Sequence, residues 1–332
     1  SNLEYVVGGF RLLRHVGMSF GIIPFTNVGY DYSTSGYVNK EDKDVTYSNS
    51  YSGEGGLHQV YLGAGWSPVK GLAVGANIGY LWGSINKTVQ NAYSNSYYKS
   101  LYRTYGTSVH NYKLDLGIQY TQKISKKDEL TLGLTYTPGH NLHADADMNI
   151  ISSNAQTSTS DTLAFSINNA YELPTMMGAG LMWNHNNQWK VGFDYTLQKW
   201  GSLGYPTYDA KNNEPWTLRD GVYMDRSKFN LGFQYCYAEN GRASFLKRVH
   251  YRAGVSYATP YYKVNGVDGP KEISVSAGFG IPIMNGYNNR SQLNISGQWV
   301  KSSAKDLIKE NSFRINIGFT FNEDWFKKWK MQ

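Results

Sequence analysis

From Ser312 to Phe321, the residues Phe313, Ile315, Ile317, Phe319 and Phe321 alternate with Ser312, Arg314, Asn316, Gly318 and Thr320. Side chains of a strand change face at every residue, so this segment has one apolar face and one polar or small face. A strand with lipid on one side and a wet lumen on the other needs that division. The pattern recurs along the chain. Val16, Met18, Phe20 and Ile22 oppose Gly17, Ser19 and Gly21, and Leu72, Val74, Ala76, Ile78, Tyr80 and Trp82 oppose Ala73, Gly75, Asn77 and Gly79. Later rows are carried by Tyr112 to Tyr120, Leu130 to Tyr136, Met177 to Trp183, Trp189 to Leu197, Phe229 to Tyr237, Val249 to Tyr257, Ile273 to Ile281 and Leu293 to Trp299.

Two kinds of connection alternate between these rows. One is short and rich in Asn, Lys, Gly and Pro. The other is long and rich in Tyr, Ser and Asn, as in 34–56, 90–105, 138–161 and 200–223. Outer-membrane barrels have this asymmetry, with short periplasmic turns and longer outside loops. Trp66, Trp183 and Trp189 fall at short turns and Trp82, Trp200 and Trp299 near long loops, which predicts two aromatic girdles. The expected fold is all-β, a transmembrane antiparallel β-barrel filling 1–322, with an interfacial periplasmic tail over 323–332. The count is about thirteen strands, and single-chain barrels normally have an even number. One further strand upstream of Ser1, giving about fourteen, is therefore expected.

The second strand is interrupted. Ile22, Ile23 and Pro24 place three apolar residues together, and Pro24 lacks the N–H a ladder needs. Asn27 and Gly29 follow, both tolerant of unusual backbone angles. A kink or bulge is expected over Pro24, Asn27 and Gly29.

Composition narrows the class. The 332 residues carry only 17% charged side chains, with 35 Gly and 28 Tyr. A mean hydropathy of −0.49 fits strands that are half wet, and no run reaches the ~18 apolar residues of a spanning helix. The net charge of +7 is scattered through turns and loops without a nucleic-acid motif, so no nucleic-acid partner is expected. Cys236 is the single cysteine and excludes a disulfide framework within the chain. It is expected in the lumen.

Alternation places Lys113, Asp115, Lys190, Asp194, Lys228, Arg252 and Arg314 on the lumen face. Such charges either pair with one another or hold a substrate carboxylate. His140, His143, Asp145 and Asp147 form a candidate metal cluster beside a long loop, although alternating His and Asp also suits a wet strand end, and neither metal nor cofactor is expected. No motif unites Ser and His into a hydrolytic site, so no catalytic residues are expected.

The stretch Asn2, Leu3, Glu4, Tyr5, then Met18 to Gly29, resembles the second and third strands of the FadL/TodX family of outer-membrane transporters for long-chain fatty acids and other hydrophobic compounds. Glu172, Leu173, Pro174 and Thr175 onward to Trp189, with Asp194, Tyr195, Thr196 and Trp200, resemble a later part of that family, and Gly318 to Asn322 with Asp324, Trp325 and Phe326 resemble one of its branches. The resemblance implies fourteen strands, an N-terminal hatch, expected to be absent from this chain together with the first strand, and lateral exit beside a kinked third strand, matched by Asn27 to Gly29. It also implies a bacterial outer-membrane location with the C-terminus periplasmic, surrounded by lipid and lipopolysaccharide, and a hydrophobic small-molecule ligand. The alternative it leaves open is a PorV-like scaffold or binding barrel holding an outer-membrane protein partner.

Overall fold

Alternating rows of Phe, Leu, Val and Tyr can bury nothing on their outer face unless lipid covers it, and the chain accordingly forms one large antiparallel sheet. The computed structural model describes residues 5–39, 44–211, 214–238, 243–264, 266–283, 291–304 and 309–321. The tail predicted over 323–332 lies outside the described residues.

In chain order the strands are β1 (Val6–Leu13), β2 (Val16–Tyr37), β3 (Thr46–Val69), β4 (Leu72–Tyr93), β5 (Ser100–Lys123), β6 (Asp128–Thr137) and β7 (His140–Asn141). They continue with β8 (Ala146–Asn154), β9 (Thr159–Ile167), β10 (Glu172–Leu173), β11 (Met176–His185), β12 (Trp189–Gln198), β13 (Tyr205–Tyr208) and β14 (Trp216–Arg219). The last are β15 (Arg226–Tyr235), α1 (Phe245–Arg248), β16 (His250–Ala258), β17 (Lys263–Val264), β18 (Val267–Asp268), β19 (Lys271–Ile283), β20 (Ser291–Ser303) and β21 (Glu310–Thr320). Among the described residues the wall runs β1-β2-β3-β4-β5-β6-β11-β12-β15-β16-β19-β20-β21, thirteen strands, each antiparallel to its neighbour. Among the described residues no ladder joins β1 to β21. The Tyr5 hydroxyl nonetheless stands 3.8 Å from where a Cβ on Gly318 would lie, so the two edges approach each other.

The predicted outer face is exposed along the whole wall, from Ile22 and Leu62 through Ile78 and Leu134 to Ile315, which is 68% exposed. β11 and β12 have ten residues each, enough at ~3.3 Å per residue and ~45° tilt to climb about 23 Å, the height of a barrel's apolar band. No helix among the described residues is long and apolar enough to cross a membrane.

Four strands are much longer than that. β2 to β5 span 22 to 24 residues, and β8 pairs onto β5 and β9 onto β8 to widen the part that rises beyond the rim. Much of 34–56, expected as an outer loop carrying strand extensions, and of 90–105, expected as loop, is therefore strand, and 138–161 and 200–223 contain strands as well. The outer face of this extension shows why it reads as loop: Asn27, Asp31, Glu54, Ser52, Asn86, Thr88 and Thr104 replace the apolar rows, so the lipid signature stops while the ladder continues.

All three strands β2 to β4 are irregular at one height. The β2 register shifts between Pro24 and Thr26, and Gly55 and Gly83 adopt φ of 104° and 143°. Only glycine takes such angles readily. A Cβ on Gly83 would also stand 2.2 Å from the Gly56 carbonyl oxygen. This bend line separates the membrane wall from its extension.

Candidate functional site

The β2 bulge changes which way its residues face. Below it Phe20 pairs with Leu62 and Ile22 with Val60, all outward. Above it Thr26 pairs with inward-facing Leu57, so Tyr30 and Tyr32 turn inward and Asn27 and Gly29 outward. The irregularity sits at Pro24 and Phe25, while Asn27 and Gly29 are back in the ladder opposite Gly56 and Glu54. On its other side β2 pairs with β1, from Val6 opposite Ile22 to Leu13 opposite Val16.

Behind the bulge lies an apolar patch in the lumen. Leu57, Leu81 and Val109 project inward from β3, β4 and β5, and Leu142, Ala144 and Leu173 of the β6–β11 connection bury against them, with Phe25, Ile85, Tyr171 and Met176 at the margin. The connection is anchored by Leu142 N–H to the Tyr171 carbonyl and Ala170 N–H to the Ala144 carbonyl, both 2.9 Å. The connection thus packs against the inner face of β3 to β5 at this height. Sequence periodicity missed these residues because on the strands they are the inward members of rows judged by their outward ones.

Above the patch the mouth is aromatic. Trp200 lies tilted against both Tyr223 and Tyr261 with ring centres 5.5 Å away, and Tyr205 meets Tyr223 edge-on at 5.4 Å. Trp200 therefore belongs to the mouth and not to a girdle. Burial pushes the Tyr171 phenol up to about 12, helped by nearby Tyr205 and Asp147, and raises Tyr205 and Tyr223 as well. The β13–β14 hairpin leans across to the extension, with Trp216 Nε1 donating to the Ala146 carbonyl at 2.8 Å and Arg103 lying 5.6 Å from the Tyr208 ring centre.

Below the patch the lumen is polar and roomy. One hollow of about 540 Å³ is lined by Lys190, Asp194, Lys228 and Arg252 among Gly and Ser, and another of about 610 Å³ includes Asn77, Asp115 and Thr135. Lys113 is ion-paired with Asp115, which also accepts from Thr137 Oγ1 at 2.6 Å. Arg252 donates to three neutral side chains, Gln234 at 2.9 Å, Asn294 at 2.6 Å and Gln292 at 3.0 Å, reaching β20 across the small residues Gly278 and Gly280 of β19. Among the described residues Lys190, Asp194, Lys228, Arg252 and Arg314 form no ion pair. Cys236 is buried at the short-turn end, with its sulfur 3.7 Å from the Arg248 carbonyl oxygen.

The four metal candidates do not converge. His140 stacks on Tyr112, His143 Nδ1 meets Asn169 Oδ1 at 3.1 Å, and Asp145 accepts from the Asn169 N–H. Among the described residues no group of three His, Cys, Asp or Glu could hold a metal ion.

Comparison with known proteins bears on the fold and the family. The BamG family model matches residues 1–332. The chain belongs to the BamG family. No curated protein matches it. Among solved structures, this BamG-family chain is similar to the monoaromatic hydrocarbon channel CymD, with a TM-score of 0.62 and 14% identity over 95% of this chain and 81% of that one. The Ralstonia pickettii toluene transporter TbuX aligns with a TM-score of 0.59 and 14% identity, covering 95% and 79%. The Pseudomonas putida toluene transporter TodX aligns at 0.58 and 14%, covering 94% and 80%. At such identities the likeness establishes the fold, an outer-membrane β-barrel of the type found in hydrophobic-compound channels. The sequence resemblance to the FadL/TodX family thus has a counterpart in three dimensions, and the family model that matches is BamG.

Proposed function

We propose that this BamG-family barrel lets hydrophobic or amphipathic small molecules cross the bacterial outer membrane, leaving sideways at the β2 bulge. One observation carries the reading: the apolar patch in an otherwise polar lumen lies directly behind that bulge, with Phe25, the extra residue, packed on it. The short turns and C-terminus face the periplasm in this scheme, and the extension projects outward. The similarity in fold to the monoaromatic hydrocarbon channel CymD and the toluene transporters TbuX and TodX supports it. Passage requires the loop-borne leucines to withdraw. The test is transfer of labelled long-chain fatty acid and of toluene into proteoliposomes. Entry faster than in protein-free vesicles is expected, and equal rates across both solutes would reject the reading.

A second reading is favoured by a different observation. The extension of β2 to β5, widened by β8 and β9, rises beyond the wall as a broad surface rich in Tyr, Ser and Asn. A scaffold barrel holding an outer-membrane partner would use it. Gentle detergent extraction separates the two readings: a stoichiometric protein partner favours the scaffold, and lumenal lipid favours passage.

A further inference from the structure

The wall has an unzipped seam between β5 and the β6–β11 hairpin. β5 pairs with β6 only from Leu116 to Lys123 and with β8 only from Ser100 to Gly106. Residues 107–115 between them have no strand partner on that side, and among the described residues no backbone hydrogen bond ties them to 138–145. The neighbouring chain is nevertheless present. His140 stacks on Tyr112 with ring centres 4.3 Å apart, where a continued ladder would set them opposite each other.

Prolines interrupt the hairpin where the β5 ladder stops. Pro138 and Gly139 interrupt the hairpin on one strand, and Pro174 and Thr175 interrupt it on the other, between the pairs Thr137 with Met176 and His140 with Leu173. Pro138, on the strand next to β5, has no N–H to give it, and Pro174, diagonally across the hairpin, breaks the hairpin's own ladder at the same level. What holds the seam is side chains. Asn111 Nδ2 donates to the Asn141 carbonyl at 3.2 Å while its Oδ1 accepts from the Tyr112 N–H at 2.7 Å. His140 Nε2 and Thr107 Oγ1 are buried there without a hydrogen-bond partner. A seam with two orphaned polar atoms is weaker than the laddered wall on either side.

Immediately inside that seam, Leu142, Ala144 and Leu173 fill the crevice formed by Leu57, Leu81 and Val109. We infer that this crevice is a binding site for an alkyl chain or hydrocarbon ring, and that the hairpin, hinged at Pro138 and Pro174, vacates it by parting from β5. The loop's own leucines stand in for the guest. This rests on the passage reading and adds a lateral portal three strands away from the β2 bulge.

The experiment uses the full chain in a Cys236→Ser background, with Tyr112→Cys and His140→Cys introduced to lock the seam by a reducible disulfide. The probe is hexadecanol carrying a mid-chain diazirine, with labelled peptides mapped by mass spectrometry. Reduced protein is expected to be labelled at Leu57, Leu81 and Val109. Locking should lower that labelling by about tenfold or more, because the competent state is removed, and reductant should restore it. A control lock between the laddered residues Leu132 and Leu181 should change nothing. Leu142→Ala, without any lock, should raise labelling by leaving room in the crevice.

Equal crevice labelling with the seam locked and open, or labelling only of the outer belt, would overturn the inference. Transfer in proteoliposomes is read separately. Crevice labelling without transfer would remove the passage reading and keep the site. Transfer with an unlabelled crevice would do the reverse.

Discussion

Lys113 and Asp115 show what single residues contribute inside this barrel. Their side chains are 11% and 28% exposed, and Thr137 completes the carboxylate's bonding. Removing one partner of such a pair leaves the other charge uncompensated, so Asp115→Asn should cost about 3 kcal/mol, whereas Lys113→Met with Asp115→Leu should recover most of it. The midpoint of heat-induced loss of the folded band on gels measures both. At the mouth, Tyr171 has its phenol raised to about 12 by burial. A raised pKa means that the neutral ring stabilises the fold fully below about pH 10, the unfolded value, and that this contribution disappears as pH climbs through about 12. Tyrosinate absorbance should therefore reveal a late-titrating class, coincident with loosening of the mouth, and Tyr171→Phe should keep the mouth closed to higher pH. Alternation sets Lys113 and Asp115 on the face opposite Tyr112, Leu114 and Leu116 from sequence alone. It carried no information on Leu142 or Leu173, whose burial depends on a loop turning inward.

At the scale of elements, the bend line shared by β2, β3 and β4 is the decisive feature. Pro24 was legible because a missing N–H is a local property. Gly55 and Gly83 were not, because glycine is frequent throughout this chain and only the register shows that both stand at the height of the bulge. Gly83→Ala should destabilise by about 1–3 kcal/mol through strain, since its Cβ would press on the Gly56 carbonyl. Deleting Phe25 should make the β2–β3 ladder continuous, because Pro24 and Thr26 already pair with adjacent residues His58 and Leu57. The expected product is a folded barrel that has lost passage, checked by gel mobility together with proteoliposome transfer. Folded protein with undiminished transfer would remove the bulge from the route. The long strands were misread as loops for a physical reason: periodic hydrophobicity reports lipid, and beyond the membrane both faces can be polar while backbone pairing continues.

Across the whole molecule, the thirteen-strand wall was readable because each crossing repeats the same division of faces, and many weak signals add. Orientation follows from the proposed scheme. A cysteine-reactive label should reach a cysteine placed in the 94–99 tip on intact cells, and one placed at Lys126 only after permeabilisation. The reverse accessibility would invert the assignment. The wall is also uneven in height, with β2 to β5 standing far above the level where β11, β12 and β16 stop. An antibody, a phage tail fibre or any other bulky visitor is thereby shaded from one flank. It can come to the mouth only over the low parapet of β12 to β19, so binders raised against intact cells should map to that side.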